Sequence, residues 1–516
     1  MKLKKKIAAF AAALALVGPP AAADEREELE ALRQTTLKLI DLLVEQGILT
    51  REKADQLIKQ AQEAGAAEAK KKAEEAAAGA KPGVVRVPYV PQTVRDEMTN
   101  EIKQDVLTQA RSERWGEPGA LPEWLNRFAF FGDLRLRFQR NYYASGNAPF
   151  LLDPQATNQS GSLQLLNTQS DNSSFRIRAR LGANVTINDW LTAGLRISTG
   201  NLTTPVSANL DQANYFNRYA IALDWAYLQA DPVDWLTAAA GRFPNPFLNT
   251  ELVWAPDLGF TGGYVKFKPR LGEGMRAVIT AGAFPLQDSD LTPSNNKWLY
   301  AGQAGLQWEG SGARGQLAVA YYDYDNIVGI ANPIGSTQFN STAPLFMQKG
   351  NTIFNINAVD PTRSPLFALA SKYQLVDVIG VLDLPAFSEQ RFILTGDYIK
   401  NVGFSANQAS ANVGSQVSAE TTGWQVSALL GRPELRKRGD WVLAFSYNYL
   451  QADATLDAFT SGDFHLGGTN AKGYILSAAY AFDRNFWLSA RWYSADQVSG
   501  PPLGIDVLQI DLNARF

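Results

Sequence analysis

The sequence has no cysteine, and its 516 residues include a single histidine, His465. Without cysteine there are no disulfides, no zinc–thiolate or iron–sulfur sites and no thiolate nucleophile. A Ser-His-Asp hydrolase would have only one base to use. That base lies in a glycine-rich stretch, Ser461-Gly462-Asp463-Phe464-His465-Leu466-Gly467-Gly468, which reads as a solvated loop. We therefore expect neither an enzyme nor a cofactor. The net charge of −3 also lacks the basic excess of a nucleic-acid partner. Long apolar runs are missing too. Although 46% of the residues are hydrophobic, nothing beyond the first two dozen approaches the roughly 20 apolar residues of a membrane helix. A chain of this kind crosses a bilayer only as strands, because only helices and closed barrels satisfy the backbone in lipid.

The N-terminal segments differ from the rest. Lys2, Lys4, Lys5 and Lys6 precede a short apolar run over residues 7–17, and Ala21-Ala22-Ala23 fits a small-residue cleavage rule. Residues 1–23 are expected to be a signal peptide cleaved after Ala23, which sends the chain out of the cytoplasm. Residues 24–80 are rich in Ala, Glu, Lys and Leu. Leu29, Leu32, Thr36, Leu39 and Leu43 recur in steps of three and four, the spacing of a coiled-coil seam. Gly47 stops that helix, and Thr50 can cap a second with Glu52 in its first turn. A periplasmic α-helical segment is expected here, either a self-associating coiled coil or a helical hairpin acting as a spacer. Residues 81–127 form a linker marked by Pro82, Gly83, Pro88 and Pro91, then a charged helix that Gly116-Glu117-Pro118-Gly119 breaks.

What is present from Phe128 to Phe516 is alternation. Phe175, Ile177, Ala179, Leu181, Ala183, Val185 and Ile187 interleave with Arg176, Arg178, Arg180, Asn184 and Thr186, so one face of a strand is uniformly apolar. The pattern predicts about 16 antiparallel strands, near 129–142, 173–187, 190–200, 217–230, 235–243, 261–269, 274–285, 298–308, 313–325, 366–381, 389–401, 421–431, 440–453, 472–482, 486–497 and 505–516. A soluble sandwich shows the same alternation, but the connections here alternate between long and short. The long ones include 143–172, 201–216, 244–260, 326–365, 402–420 and 454–471, and the short ones include Asn188-Asp189 and the stretch 483–485. Short turns on one side and long loops on the other characterise transmembrane β-barrels. An even strand count puts both ends of the barrel segment on the side of the short turns. The 326–365 connection has room for a hidden hairpin. The expected fold is therefore an all-β transmembrane barrel over residues 128–516, carrying the helical segment on its periplasmic side.

Aromatic residues follow the short turns. Asp189-Trp190-Leu191-Thr192-Ala193 recurs as Asp234-Trp235-Leu236-Thr237-Ala238, the placing of an interfacial girdle, although Trp190 falls on the polar parity of its strand. On the last strand Leu508, Ile510, Leu512, Ala514 and Phe516 share one face, and Gln509, Asp511, Asn513 and Arg515 the other. A terminal Phe516 on such a strand resembles the signal read by barrel-insertion machinery.

Val87-Pro88-Tyr89-Val90-Pro91, the run from Glu113 to Gly119, and Gly241-Arg242-Phe243-Pro244-Asn245-Pro246-Phe247 followed by Leu252-Val253-Trp254 resemble the "putative porin" family of Gram-negative bacteria. The resemblance implies an outer-membrane barrel in contact with lipid, a homotrimer like general porins, and no particular solute.

With apolar faces toward lipid and polar faces toward the lumen, parity turns Arg135, Arg137, Arg176, Arg178, Arg180, Arg196, Arg491 and Arg515 inward, on the first three and last two strands. Closure makes those strands neighbours, so one wall is predicted to be basic, and walls of Arg favour anions. Glu251 and Asp257 lie on the third long connection, which in general porins folds inward as the constriction loop. Three arrangements are open: an Arg wall opposed by an inward acidic loop, an anion-selective Arg ladder, or charges that serve only solubility. Pro244 and Pro246 either stiffen a constriction or end a strand. The expected function is a porin for passive diffusion of small hydrophilic solutes or ions, anion-preferring if the Arg wall prevails. The alternative is an outer-membrane anchor or adhesin, with residues 24–80 contacting peptidoglycan or the 326–365 loop contacting a surface.

Overall fold

The computed structural model describes Lys59, residues 125–289 and residues 295–516. The expected signal peptide (1–23), the helical segment (24–80, Lys59 apart) and almost all of the linker (81–127) lie outside the described residues.

The chain lays down β1 (Phe128–Tyr143), β2 (Asn172–Asn188), β3 (Leu191–Thr199), β4 (Leu210–Asp211), β5 (Ile221–Val233), β6 (Leu236–Pro244), β7 (Gly259–Phe267), β8 (Arg270–Gly272), β9 (Met275–Gln287) and β10 (Lys297–Gly310). It continues with β11 (Ala313–Asp325), β12 (Ile353–Asn355), β13 (Phe367–Leu369), β14 (Tyr373–Pro385), β15 (Arg391–Asn401), β16 (Thr422–Gly431), β17 (Trp441–Leu450), β18 (Ala471–Asp483), β19 (Phe486–Gln497) and β20 (Gly504–Arg515). Eighteen of these form one sheet, and β12 and β13 pair separately. Setting aside the short β4 and β8, which only border β2 and β9, leaves sixteen strands. Each pairs antiparallel with its neighbours, and β1 pairs with both β2 and β20, so the sheet closes on itself. Closure removes the unpaired strand edges that an open sheet would expose.

All sixteen expected strands are present. The largest boundary difference is at β14, which starts at Tyr373 rather than near residue 366. The chain just before it, Phe367–Leu369, instead pairs with Ile353–Asn355 as a hairpin inside the long loop. Trp190 belongs to a turn, and its strand begins at Leu191, so the parity rule does not apply to it. Pro244 is the last residue of β6, where its missing N–H ends the pairing. Two short helices, α1 (Pro154–Ser160) and α2 (Ala406–Val413), sit in long loops. Among the described residues no helix is long and apolar enough to cross a membrane.

The barrel is turned inside out relative to a soluble protein. On β20, Gln509 and Asp511 are 1% and 6% exposed, whereas Ile510 and Leu512 on the opposite parity are 38% and 42% exposed. Side chains of successive residues alternate across the sheet, so the exposed apolar parity forms a continuous outer belt. Phe130, Leu136, Phe175, Leu181, Leu228 and Leu476 contribute to it. That belt suits hydrocarbon, while the polar parity is enclosed.

The expectation that polar faces alone line the interior needs correction. Phe243, Phe260, Phe284, Leu299, Tyr322 and Leu375 lie on inner faces from β6 to β14 and are buried. They form a seat for the β6–β7 loop (245–258). Trp254 of that loop is 1% exposed and packs edge-on against Phe260 at 4.9 Å and Tyr322 at 5.3 Å. Phe247 meets Tyr322 at 5.6 Å. A fully buried side chain of this size stabilises by about 1.5–3 kcal/mol. Polar anchors fix the register: Leu248 exchanges both backbone bonds with the Gln303 amide on β10 at 2.8 Å, and the Thr250 hydroxyl donates to Asp397 on β15.

Two further loops fold inward and lock together. Gln348, Lys349 and Asn351 of the β11–β14 loop donate to backbone carbonyls of the β17–β18 loop, and Thr352 donates to the Asp453 carboxylate. Gln348 reaches Asp457 and Thr460, Lys349 reaches His465 and Gly467, and Asn351 reaches Ala452 and Thr455. His465 is part of this seam, which overturns its reading as a solvated residue. It is 1% exposed, with Nε2 3.0 Å from the Leu503 carbonyl. Burial, with Lys349 nearby, pushes its pKa down to about 3, so the ring is neutral at ordinary pH. Glycine spacing signalled a loop correctly but could not show that the loop turns inward.

At the barrel's closure the chain end folds onto β1. Gly132 and Phe516 exchange backbone hydrogen bonds of 3.0 Å, and a Cβ at Gly132 would collide with the Phe516 ring.

Candidate functional site

The eight arginines singled out by parity occupy inner-face positions of β1, β2, β3, β19 and β20. The register brings like charges face to face: Arg135 opposes Arg178, and Arg137 opposes Arg176, across the β1–β2 ladder. Directly opposed like charges destabilise a sheet unless counter-charges intervene. Seven carboxylates do so for seven of the arginines: Asp133, Asp211, Asp224, Glu251, Asp257, Asp463 and Asp511. Arg515 instead donates to the Leu435 and Arg484 carbonyls and lies over the Trp487 ring.

Asp133 and Asp511 come from the wall itself, and Asp224 from the adjoining strand β5. Asp133 sits on β1 with the parity of Arg135 and binds Arg178 at 2.9 Å and Arg180 at 2.7 Å. Asp511 takes both Nε and Nη2 of Arg137, at 2.7 and 2.9 Å, a forked contact that also orients the guanidinium. Asp224 pairs with Arg196, whose guanidinium also stacks 3.2 Å from the centre of the Trp225 ring.

The other four come from three loops. Asp257 is bound by Arg178 at 3.0 Å and Arg180 at 3.2 Å, lies 4.0 Å from Arg135, and accepts the Ala208 N–H at 3.2 Å. Burial opposes its charged form, but Arg178, Arg135 and Arg180 outweigh that, and the carboxyl titrates below the usual range. Asp463 joins Arg137 at 3.1 Å and Gln509 at 2.9 Å; burial opposes its charged form, but Arg137, the Gln509 hydrogen bond, Arg491 and Arg135 together lower its pKa. Asp211 meets Arg176 at 2.9 Å, and Glu251 meets Arg491 at 3.2 Å.

The β6–β7 loop is thus fastened on both sides. Trp254 and Phe247 hold it to the aromatic seat, and Glu251 and Asp257 hold it to β19 and β2. Beside it a cavity of about 700 Å³ is lined by Arg135, Arg178, Glu251, Asp257, Arg491 and Arg515. A second, of about 680 Å³, lies on the aromatic side and also touches Asp257. Sequence parity could have supplied Asp133 and Asp511, which share the face of the arginines. Asp211 and Asp463 carried no periodic signal. Among the described residues no cluster of three or more His, Asp or Glu side chains is arranged to hold a metal ion.

Residues 33–516 match a family model described as "putative porin". No curated protein matches the chain. Solved structures similar to it include Pseudomonas putida OprB at high pH, with 12% identity, 76% of this chain and 96% of that chain covered, and a TM-score of 0.44. A loop-deletion mutant of OmpT, an outer membrane protein of Vibrio cholerae, shows 10% identity, 75% and 99% coverage, and a TM-score of 0.40. The outer membrane channel DcaP of Acinetobacter baumannii shows 12% identity, 75% and 97% coverage, and a TM-score of 0.38.

Proposed function

Because the chain belongs to the "putative porin" family, we propose that it is an outer-membrane channel for passive diffusion of small hydrophilic solutes and ions, with at most a modest preference for anions. One observation carries this reading: a closed barrel with an apolar exterior encloses a cavity of about 700 Å³ whose lining is charged. A membrane barrel with a polar interior offers hydrated solutes a path that the bilayer denies them. Family and fold together imply a channel rather than an enzyme.

The modest preference follows from the charge count. A bare wall of eight arginines would favour anions strongly. Here seven are matched by carboxylates, four of them delivered by loops, so the field runs across the lumen from wall to loop. Glu251 and Asp257 act as the constriction, and the arginines act as its opposite side. In this reading the signal peptide ending at Ala23 directs export, and Phe516 on the terminal strand presents the insertion signal.

Liposome swelling with uncharged sugars of increasing size tests the channel reading. Swelling that falls off with solute size is the expected result. Liposomes that hold the folded barrel yet do not swell in the smallest sugar would refute it.

A further inference from the structure

Among the ion pairs of the wall, Arg491–Glu251 is more open than those of Arg137, Arg178 and Arg180. Arg137 is clasped by two carboxylates and its side chain is 2% exposed. Arg178 and Arg180 share Asp133 and Asp257, with side chains 13% and 17% exposed. Asp257 cannot leave easily, because the neighbouring Trp254 is buried and Ala208 also holds its carboxylate. Arg491 and Glu251, by contrast, are 39% and 33% exposed and share one contact of 3.2 Å, through Nη1. Among the described residues the Glu251 carboxylate has no other hydrogen bond. Among the described residues Nε and Nη2 of Arg491 have no hydrogen-bond partner, which leaves one edge of a planar fork free beside the cavity.

The cavity beside that edge offers neutral polar groups, and the Asp463 carboxylate that also lines it is engaged by Arg137. Ser489 and Asn513 line the same cavity, with the Asn513 amide donating to the Ser489 hydroxyl at 3.0 Å. The Tyr493 hydroxyl lies 3.2 Å from Arg491 Nη1 and holds the guanidinium in place. Arg491 is mid-strand on β19, and Arg515, the arginine without a carboxylate, lies nearer the short turns.

Resting on the channel reading, we propose that Arg491 and Glu251 form an anion-exchange station. A solute carboxylate or phosphate takes the free edge of Arg491, Glu251 swings off, and Glu251 returns when the anion leaves. A guanidinium fork prefers two parallel bonds to one oxyanion over a single contact, so the bidentate solute competes well with the monodentate Glu251. Arg176–Asp211 is the other exposed pair of the wall, at 29% and 60%, but Asp211 takes Nε of Arg176 and Gln139 takes Nη1, so less of that guanidinium is left for a solute.

The test is conductance of the full-length protein in planar bilayers in potassium chloride, titrated with succinate or, separately, inorganic phosphate. Both are expected to reduce the chloride current in the wild type. In Arg491→Gln the half-blocking concentration should rise by about tenfold or more. In Glu251→Gln it should fall, and reversal potentials should move toward chloride. Block by succinate alone assigns the station to carboxylates, and block by phosphate alone to phosphates. Unchanged block in Arg491→Gln, or in Glu251→Gln should Arg491→Gln not fold, overturns the station but leaves the channel reading intact. A wild type that conducts without block by either anion does the same. A wild-type barrel that never conducts overturns both.

Discussion

The two halves of the inner wall follow the same strand alternation and solve opposite problems. From β19 through β3 the inner face is arginine, held in place by acids. From β6 to β14 it is largely aromatic and aliphatic, and it holds a loop by burial. The loop between them depends on both. Its aromatic attachment is insensitive to charge, whereas its ionic attachment is a balance of Coulomb energy against desolvation. An inward position in this barrel is therefore often a contact with a folded-in loop.

The largest effects separate the halves. Arg137→Ala leaves Asp511 and Asp463 without their cation and should cost about 3–5 kcal/mol, read from urea unfolding of the barrel in detergent. Trp254→Ala removes the main apolar anchor of the β6–β7 loop at a similar cost of about 3–5 kcal/mol. The two should differ in function: freeing the loop in Trp254→Ala should raise single-channel conductance, while the Arg137 variant keeps that loop seated. Equal conductance changes in both would dissolve the distinction between the halves.

A smaller effect lies in the seam between the β11–β14 and β17–β18 loops. Asp457 is buried with both carboxyl oxygens unpaired, and burial pushes its pKa up to about 7. A raised folded-state pKa gives stability that is full below the ordinary carboxylate range and lost as pH rises through about 7. Burial pushes Lys349 down to about 7, so its contribution runs the other way, present at high pH and lost as pH falls through about 7. Asp457→Asn should therefore remove the decline between pH 4 and 7 and stabilise the seam at pH 8 by up to about 3 kcal/mol. Limited proteolysis of the loops at pH 5 and pH 8 reads this, and a variant with the wild-type pH profile would contradict it. The smallest effect is at the closure. Gly132→Ala forces the Phe516 ring aside and should cost about 1–2 kcal/mol, visible as a lower midpoint for heat-induced unfolding on gels.

Much of this was legible in the sequence. Period-two alternation located all sixteen strands, because a lipid-facing belt must repeat every second residue. The same parity placed Arg135 through Arg515 on inner faces. It failed where interior contacts are made by loops. Nothing periodic marks Asp211 or Asp463, and the apolar inner residues Phe243, Phe260 and Tyr322 break the expected polar lining because a folded-in loop needs an apolar seat. His465 shows the same limit, since its glycine-rich neighbours identify a loop without saying which way it turns.

The most direct test of the central claim is single-channel recording of the purified protein with a salt gradient across a planar bilayer. A porin whose arginine wall is largely neutralised by its own loops should open in steps and reverse close to zero, slightly toward chloride. A reversal potential near the chloride limit would show an unopposed arginine wall and contradict the charge balance. A folded barrel that passes no current would contradict the channel itself.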